Sequence, residues 1–248
     1  MKEEFQNGIM YFGDCLDVLQ DLPQNSAEIA ITSPPYNLQG VNETQYTTAT
    51  SRAMTNKFDK WYKEIGSERE YQDNQRRMLK LLTAICCSSV FYNHKIRYAW
   101  HSRNTYKHKN KIYHPLQWID HPIWAEIIWD RKGIGNPTRR YHACDERIYQ
   151  IGRPKKWSNP RALKSIWRIT PTTNTKHPCT FPAGLVWNCM QTTTDAGDTI
   201  IDPYIGSGTT AIVAIQNKRR FIGIEKNRTY FDAACKRIEN EERQLKLF

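Results

Sequence analysis

The sequence predicts an α/β protein built on a mostly parallel, doubly wound sheet, and three observations lead there. Short apolar runs rich in isoleucine alternate with segments of helical period, the pattern of strand–helix–strand units. These runs stop abruptly at turns rich in glycine or proline. Hydrophobic residues make up 39% of 248 positions and aromatics 12%, enough for one medium domain with a modest insertion, or two small ones.

Residues 9–12 (IMYF) read as a short strand. LDVLQDL (16–22) reads as a helix, because Leu16, Leu19 and Leu22 recur at helical spacing. Pro23 breaks it, and AEIAIT (27–32) is a buried strand. Ser33-Pro34-Pro35-Tyr36 ends that strand. A double proline can neither continue a central strand nor begin a helix in mid-turn, so it forms a rigid loop at the strand's C-terminal edge. Residues 37–57 are polar without a period and read as a long loop. A helix is expected over 68–84 with Met78, Leu81, Leu82 and Ile85 on one face, then strands over 88–93, 123–130 and 147–152. A polar, proline-interrupted stretch follows. A helix over 182–193 then leads to a buried strand, DTIIDPY (198–204). GSGTT opens the helix AIVAIQN, RRFIGIE (219–225) is the last sheet strand, and a charged helix covers 229–245.

The net charge is +11, and between residues 93 and 179 there are 18 Lys/Arg against 5 Asp/Glu. The middle therefore holds more than the whole excess, together with all seven histidines and six of the eight tryptophans. A basic, aromatic-rich middle points to a nucleic-acid surface; a generic solvated basic face is the alternative. Arg131, Lys132, Arg139, Arg140, Arg153, Lys155 and Lys156 are the best phosphate or base contacts. The seven cysteines form no CxxC pair, so neither zinc nor a disulfide framework is expected. No run of about 18 apolar residues occurs, and no signal-peptide core is found near the first residues, so a cytoplasmic location is expected.

Two motifs carry chemistry. Asp202-Pro203-Tyr204-Ile205-Gly206-Ser207-Gly208-Thr209-Thr210 sits between a buried strand and an apolar helix. Its glycines let the backbone turn tightly beside a ligand, and the helix start supplies free N–H donors. Glu225 ends the next strand, where an acid would bind a ribose hydroxyl pair. The third glycine of a dinucleotide fingerprint is missing, which favours a ligand without a pyrophosphate. A glycine-rich turn kept for packing alone is the alternative. In the other motif the Ser33 hydroxyl and the following carbonyl, both fixed by proline, can accept the two N–H hydrogens of an exocyclic base amino group. That draws its delocalised lone pair out for reaction, while Tyr36 offers a face for an extruded base. A Pro-Pro turn with a core tyrosine is the alternative.

TSPPYN early and DPYIGSGTT late together resemble the amino-methyltransferases of DNA, in their permuted β-type order. GDCLDVLQDLP resembles that family's opening block and KHPCTFPAGLVWNCM its closing block. The resemblance implies a Rossmann-like S-adenosylmethionine-dependent methyltransferase fold with a small target-recognition insertion. It divides the chain into a catalytic half (1–100), a basic segment with sheet strands and the recognition region (101–175), and a cofactor half (176–248). Ser33, Pro34, Pro35 and Tyr36 would hold the target base. S-adenosyl-L-methionine would have Gly206 and Gly208 along its methionine part, with Asp202, Ser207, Thr209 and Thr210 nearby. Glu225 would take its ribose and Asp14 its adenine amino group; Lys176, His177, Pro178 and Phe181 would close over it, and Cys15, Thr32, Tyr204 and Lys226 complete the set. The resemblance implies DNA as partner and neither metal nor membrane; it allows a homodimer and does not require a restriction endonuclease. Ser33 stands where adenine-N6 enzymes of the family usually carry aspartate, which favours cytosine N4, with adenine N6 the alternative. An RNA or protein methyltransferase, or a silent DNA-binding relative, are the remoter readings.

Overall fold

The computed structural model describes residues 1–37, 67–99, 111–132, 144–172 and 181–245. Its strands are β1 Lys2–Phe5, β2 Gly8–Phe12, β3 Ile29–Thr32, β4 Val90–His94, β5 Arg97–Ala99, β6 Lys111–Tyr113, β7 Ile123–Asp130, β8 Asp145–Ile151, β9 Ile166–Arg168, β10 Thr199–Asp202 and β11 Arg220–Glu225. Its helices are α1 Cys15–Asp21, α2 Glu68–Ile85, α3 Ala183–Thr193, α4 Thr209–Gln216 and α5 Arg228–Leu245. Nine strands form one sheet in the order β1-β2-β11-β10-β3-β4-β8-β7-β9. The stretch from β2 to β4 is parallel throughout; β1 and β8 run antiparallel to it, and β7 antiparallel to β8. The expected α/β class and mostly parallel sheet are present.

Strands covered on both faces must be apolar along their length, and here they are until their C-terminal ends, where Thr32, Asn93, His94, Asp202 and Glu225 bring polar groups to one edge of the sheet. Ile29, Ile31, Phe91 and Ile200 join a core under α3, α4 and α5, while Ala30, Val90, Tyr92, Ile201 and Ile222 join a second core under α1 and α2. Successive residues of each strand thus feed opposite layers, as a period of two requires.

Differences from expectation have local causes. The strand expected over 198–204 stops at Asp202, because Pro203 has no N–H for the ladder. The buried side of α2 is Tyr71, Gln75, Met78, Leu79, Leu82 and Ile85; Leu81 is only half-buried, so the face is turned from the one expected. Charged β1, and the three-residue strands β5, β6 and β9, leave no signal in the sequence: each is too short for a period and is fixed by its partner strand. Among the described residues, no helix is long and apolar enough to cross a membrane. Cys15, Cys86, Cys189 and Cys235 are buried free thiols, Cys87 is half-buried, Cys144 is exposed, and Cys179 lies outside the described residues.

Candidate active site

The chain leaves β10 for α4 on one face of the sheet and β3 for α2 on the other. These two strands are neighbours, so a crevice opens between their C-terminal ends, the usual ligand position in such sheets. Asp202 closes β10 and folds its carboxylate back over the turn, accepting from the Tyr204 N–H at 3.0 Å and the Thr210 hydroxyl at 2.5 Å. Gly206 and Gly208 have φ of +52° and +82°, the left-handed region that side chains disfavour. Gly208 caps α4 with its Cα side against Ala234, where a Cβ would lie 3.3 Å from the alanine methyl. Glu225 ends β11 and ties the turn to its own strand, accepting from Gly206 N–H at 3.1 Å and Asn227 N–H at 2.7 Å. Burial pushes Asp202 up to about 7. Burial also raises Glu225, against the pull of those two backbone donors.

A cavity lies beside this turn. Asp14, Cys15, Tyr204, Glu225 and Lys226 line it, and Pro35 of the proline loop forms part of its wall. Asp14 also caps α1, accepting from Leu16 N–H at 3.0 Å, and its other oxygen lies 4.0 Å from the Lys226 ammonium. Burial lifts the Cys15 thiol to about 11, so it stays protonated at neutral pH. Tyr71, Asn74 and Gln75 of α2 also line the cavity, and sequence reasoning missed them. Gln75 left a signal: it is a polar residue on the helix face of Met78, Leu79 and Leu82. Of the remaining expected contacts, Ser207 and Thr209 sit on the α4 side of the turn, their hydroxyls 3.4 Å apart. Thr32 is buried at the end of β3. Phe181 packs edge-on against Trp129 at 6.2 Å and does not line the cavity. Lys176, His177 and Pro178 lie outside the described residues.

The proline loop follows Thr32 directly, so Ser33 and Tyr36 stand at the mouth of the same crevice. Asn93 of β4 fixes both. Its amide N–H donates to the Arg147 carbonyl at 3.0 Å, which turns its oxygen toward the Ser33 hydroxyl (3.0 Å) and the Tyr36 hydroxyl (2.8 Å). Tyr36 also reaches the Glu146 carboxylate at 2.7 Å. A charged acceptor outcompetes a neutral amide, so the tyrosine proton goes to Glu146 and the serine proton to Asn93. The lone pairs of Ser33 are then left to accept. Behind the loop, the Tyr71 hydroxyl lies 2.9 Å from the Pro35 carbonyl and 2.7 Å from His94 Nε2. His94 donates from Nδ1 to the Lys95 carbonyl at 2.7 Å. Burial, then the Arg97 charge, holds this imidazole neutral, well below its ordinary range. Arg97 is itself buried, paired twice with Glu68 at 2.6 Å and stacked over Tyr71 and Trp118. Sequence reasoning missed Asn93 and Glu146, which lie in strands with no motif around them.

The basic residues separate into two groups. Arg131 and Lys132 follow β7 at the edge where β4 ends, beside the proline loop, since Asp130 pairs with Asp145 and His94 with Arg147. Arg153, Lys155 and Lys156 follow β8 at the opposite edge, where Ile151 pairs with Val90 at the start of β4. There the Lys155 N–H donates to the Ser88 hydroxyl at 3.0 Å, and Lys156 pairs with Asp195. The structure does not bring this second group to the edge of the proline loop, because β8 separates the two groups by its whole length. Arg139 and Arg140 lie outside the described residues.

A glycine turn after one parallel strand, an acid ending the next, and a proline loop on the adjoining strand define a Rossmann-like methyltransferase of permuted order. Residues 27–236 match the family described as DNA methylase, N6_N4_Mtase. The chain belongs to that family. It is 24% identical to the type II methyltransferase M.BglII of Bacillus subtilis, over 94% of this chain and 69% of that one. It is also 24% identical to M.Cfr9I of Citrobacter freundii, over 96% and 90%. Among solved structures, the cytosine-N4-specific PvuII DNA methyltransferase superposes with a TM-score of 0.70 at 18% identity, covering 96% of this chain and 92% of that one. TTHA0409 of Thermus thermophilus, in complex with S-adenosyl-L-methionine, gives 0.65 at 19% identity, covering 94% and 93%. At these identities the superpositions establish the fold.

Proposed function

We propose that this chain transfers a methyl group from S-adenosyl-L-methionine to the exocyclic N4 of cytosine within a short DNA sequence. The observation that carries the reading is the Ser33 hydroxyl, whose proton is taken by Asn93 so that its lone pairs can receive an amino N–H. The cavity suits the cofactor: Pro203 and Tyr204 of the turn form part of its wall, Gly206 and Gly208 lie behind that wall, and Asp14 and Glu225 offer carboxylates to a ligand that carries positive charge and hydroxyls. Asp14, Cys15, Tyr204, Glu225 and Lys226 would hold it. When bound, it supplies an electrophilic methyl group on a sulfonium.

The residues of the chain do the rest. Ser33 accepts one amino hydrogen, and the carbonyl after it, rigid between two prolines, accepts the other. The nitrogen is thereby drawn toward tetrahedral geometry and held in one orientation. Tyr36, its hydroxyl anchored on Glu146, offers its ring to the extruded base. The serine at position 33 supports cytosine; adenine N6 would present the same two donors to Ser33.

Tritiated S-adenosyl-L-methionine with duplex DNA, followed by mass spectrometry of the nucleosides, tests this. N4-methylcytosine is expected. N6-methyladenine would overturn the choice of base, and unlabelled DNA would overturn the reading altogether. Ser33→Ala should keep cofactor affinity and lose about 100-fold or more in turnover.

A further inference from the structure

We infer that Glu146 is a positioning residue that links DNA engagement at Arg131 to the catalytic loop at Tyr36; this rests on the function proposed above. A buried carboxylate needs partners, and Glu146, 6% exposed in β8, has one for each oxygen. One oxygen accepts from the Tyr36 hydroxyl at 2.7 Å, and the other accepts from Arg131 Nη1 at 2.9 Å. The two partners differ in where they lead. Tyr36 belongs to the loop that receives the base. Arg131 stands at the end of β7, its side chain 38% exposed and its guanidinium 5.4 Å from the Trp129 ring.

A guanidinium carries five N–H donors in a rigid fork, so Arg131 can hold Glu146 and still present donors to an anion outside. A DNA phosphate is such an anion, and it would lie on the edge of the sheet where the base enters. Phosphate, Arg131, Glu146 and Tyr36 then form one continuous chain of charge-assisted contacts. Glu146 also decides where protons sit. While it takes the Tyr36 proton, Asn93 is left to take that of Ser33. Without the carboxylate, Tyr36 turns its proton to Asn93 at 2.8 Å, competes with Ser33, and spoils the serine as an acceptor.

The test is a cycle of Glu146→Gln, Arg131→Met and the double variant, assayed for labelled DNA, with cofactor affinity measured separately. Glu146→Gln should lower kcat by about tenfold or more with cofactor affinity unchanged, and Glu146→Asp should restore part of it. Arg131→Met should raise KM for DNA and also lower kcat. The double variant should have the kcat of Glu146→Gln alone, because the two act through one chain. Should Glu146→Gln fail to fold, Tyr36→Phe replaces it as a test of the anchor alone: it cuts the chain at the loop and leaves Asn93 to Ser33, so its double variant with Arg131→Met should have the kcat of Tyr36→Phe alone. Losses in kcat that multiply, or a Glu146→Gln kcat within about twofold of the parent, would overturn the link while leaving the methyltransferase reading intact. A parent protein that labels no DNA overturns both.

Discussion

At the scale of single residues, the site is governed by where a few protons sit. Asn93 has no charge and touches no cofactor wall, yet it sets the direction of two hydroxyls. Asn93→Ala should therefore leave cofactor affinity unchanged and reduce single-turnover methylation by about tenfold, because the Ser33 proton is then free to point at the base. A cofactor titration beside a rapid-quench assay separates the two effects. Asp202 makes a second residue-scale prediction. Its ordinary value is 3.8 and burial pushes it up to about 7, so across that window the folded chain holds a proton the unfolded chain has released. The stabilisation is complete below 3.8 and is lost as pH rises through 7. Asp202→Asn removes the charge, so its melting temperature should gain on the parent by about 5 °C between pH 5 and pH 8. Parallel melting profiles would refute this. His94 acts in the opposite sense. Held neutral in the fold, it supports stability above 6.5 and withdraws that support as pH falls.

At the scale of elements, close strand–turn contact sets the tolerance of the cofactor half. Gly223 in β11 is tightly covered: a Cβ there would lie 2.5 Å from the Ile205 Cδ1 and 2.6 Å from the Met10 sulfur, so both buried side chains would have to move. Gly223→Ala should lower stability by about 1–3 kcal/mol, read from urea unfolding followed by circular dichroism. Long periodic elements such as α2 and α5, and apolar strands such as β3 and β10, were legible in the sequence because period and burial agree there. The turns that carry the two motifs were legible too, since glycine and proline punctuate the chain where β3 and β10 end. What the sequence did not disclose came from partners distant along the chain. Glu146 reads as an ordinary surface charge in DER until β4 and β7 enclose it. Arg153 looks like a neighbour of Arg131 in a basic segment, but seven residues of extended β8 carry it about 24 Å to the far edge. Composition counts charges without saying which end of a strand they occupy.

At the scale of the whole molecule, the excess of positive charge predicts DNA binding that weakens steeply with salt. Between 50 and 200 mM salt, affinity measured by fluorescence anisotropy should fall by about 100-fold or more. The edge-by-edge division of the basic residues refines that expectation. Substituting both Lys155 and Lys156 by alanine should change DNA affinity by less than about threefold, whereas Arg131→Met at the edge of the proline loop should weaken it more. Equal losses from the two substitutions would mean that DNA wraps around to the far edge as well. The strand order has another consequence, in time rather than in space. β3 leads into the proline loop, and one of its edges is completed only by β10, with Ile29 against Ile200. Some 170 residues separate the two in the chain. A ribosome adding roughly 5–20 residues per second takes roughly ten to thirty seconds to cover that gap. For that interval the nascent protein presents an apolar strand edge with no mate. Its yield in a cell should therefore depend on how well chaperones shield it during synthesis.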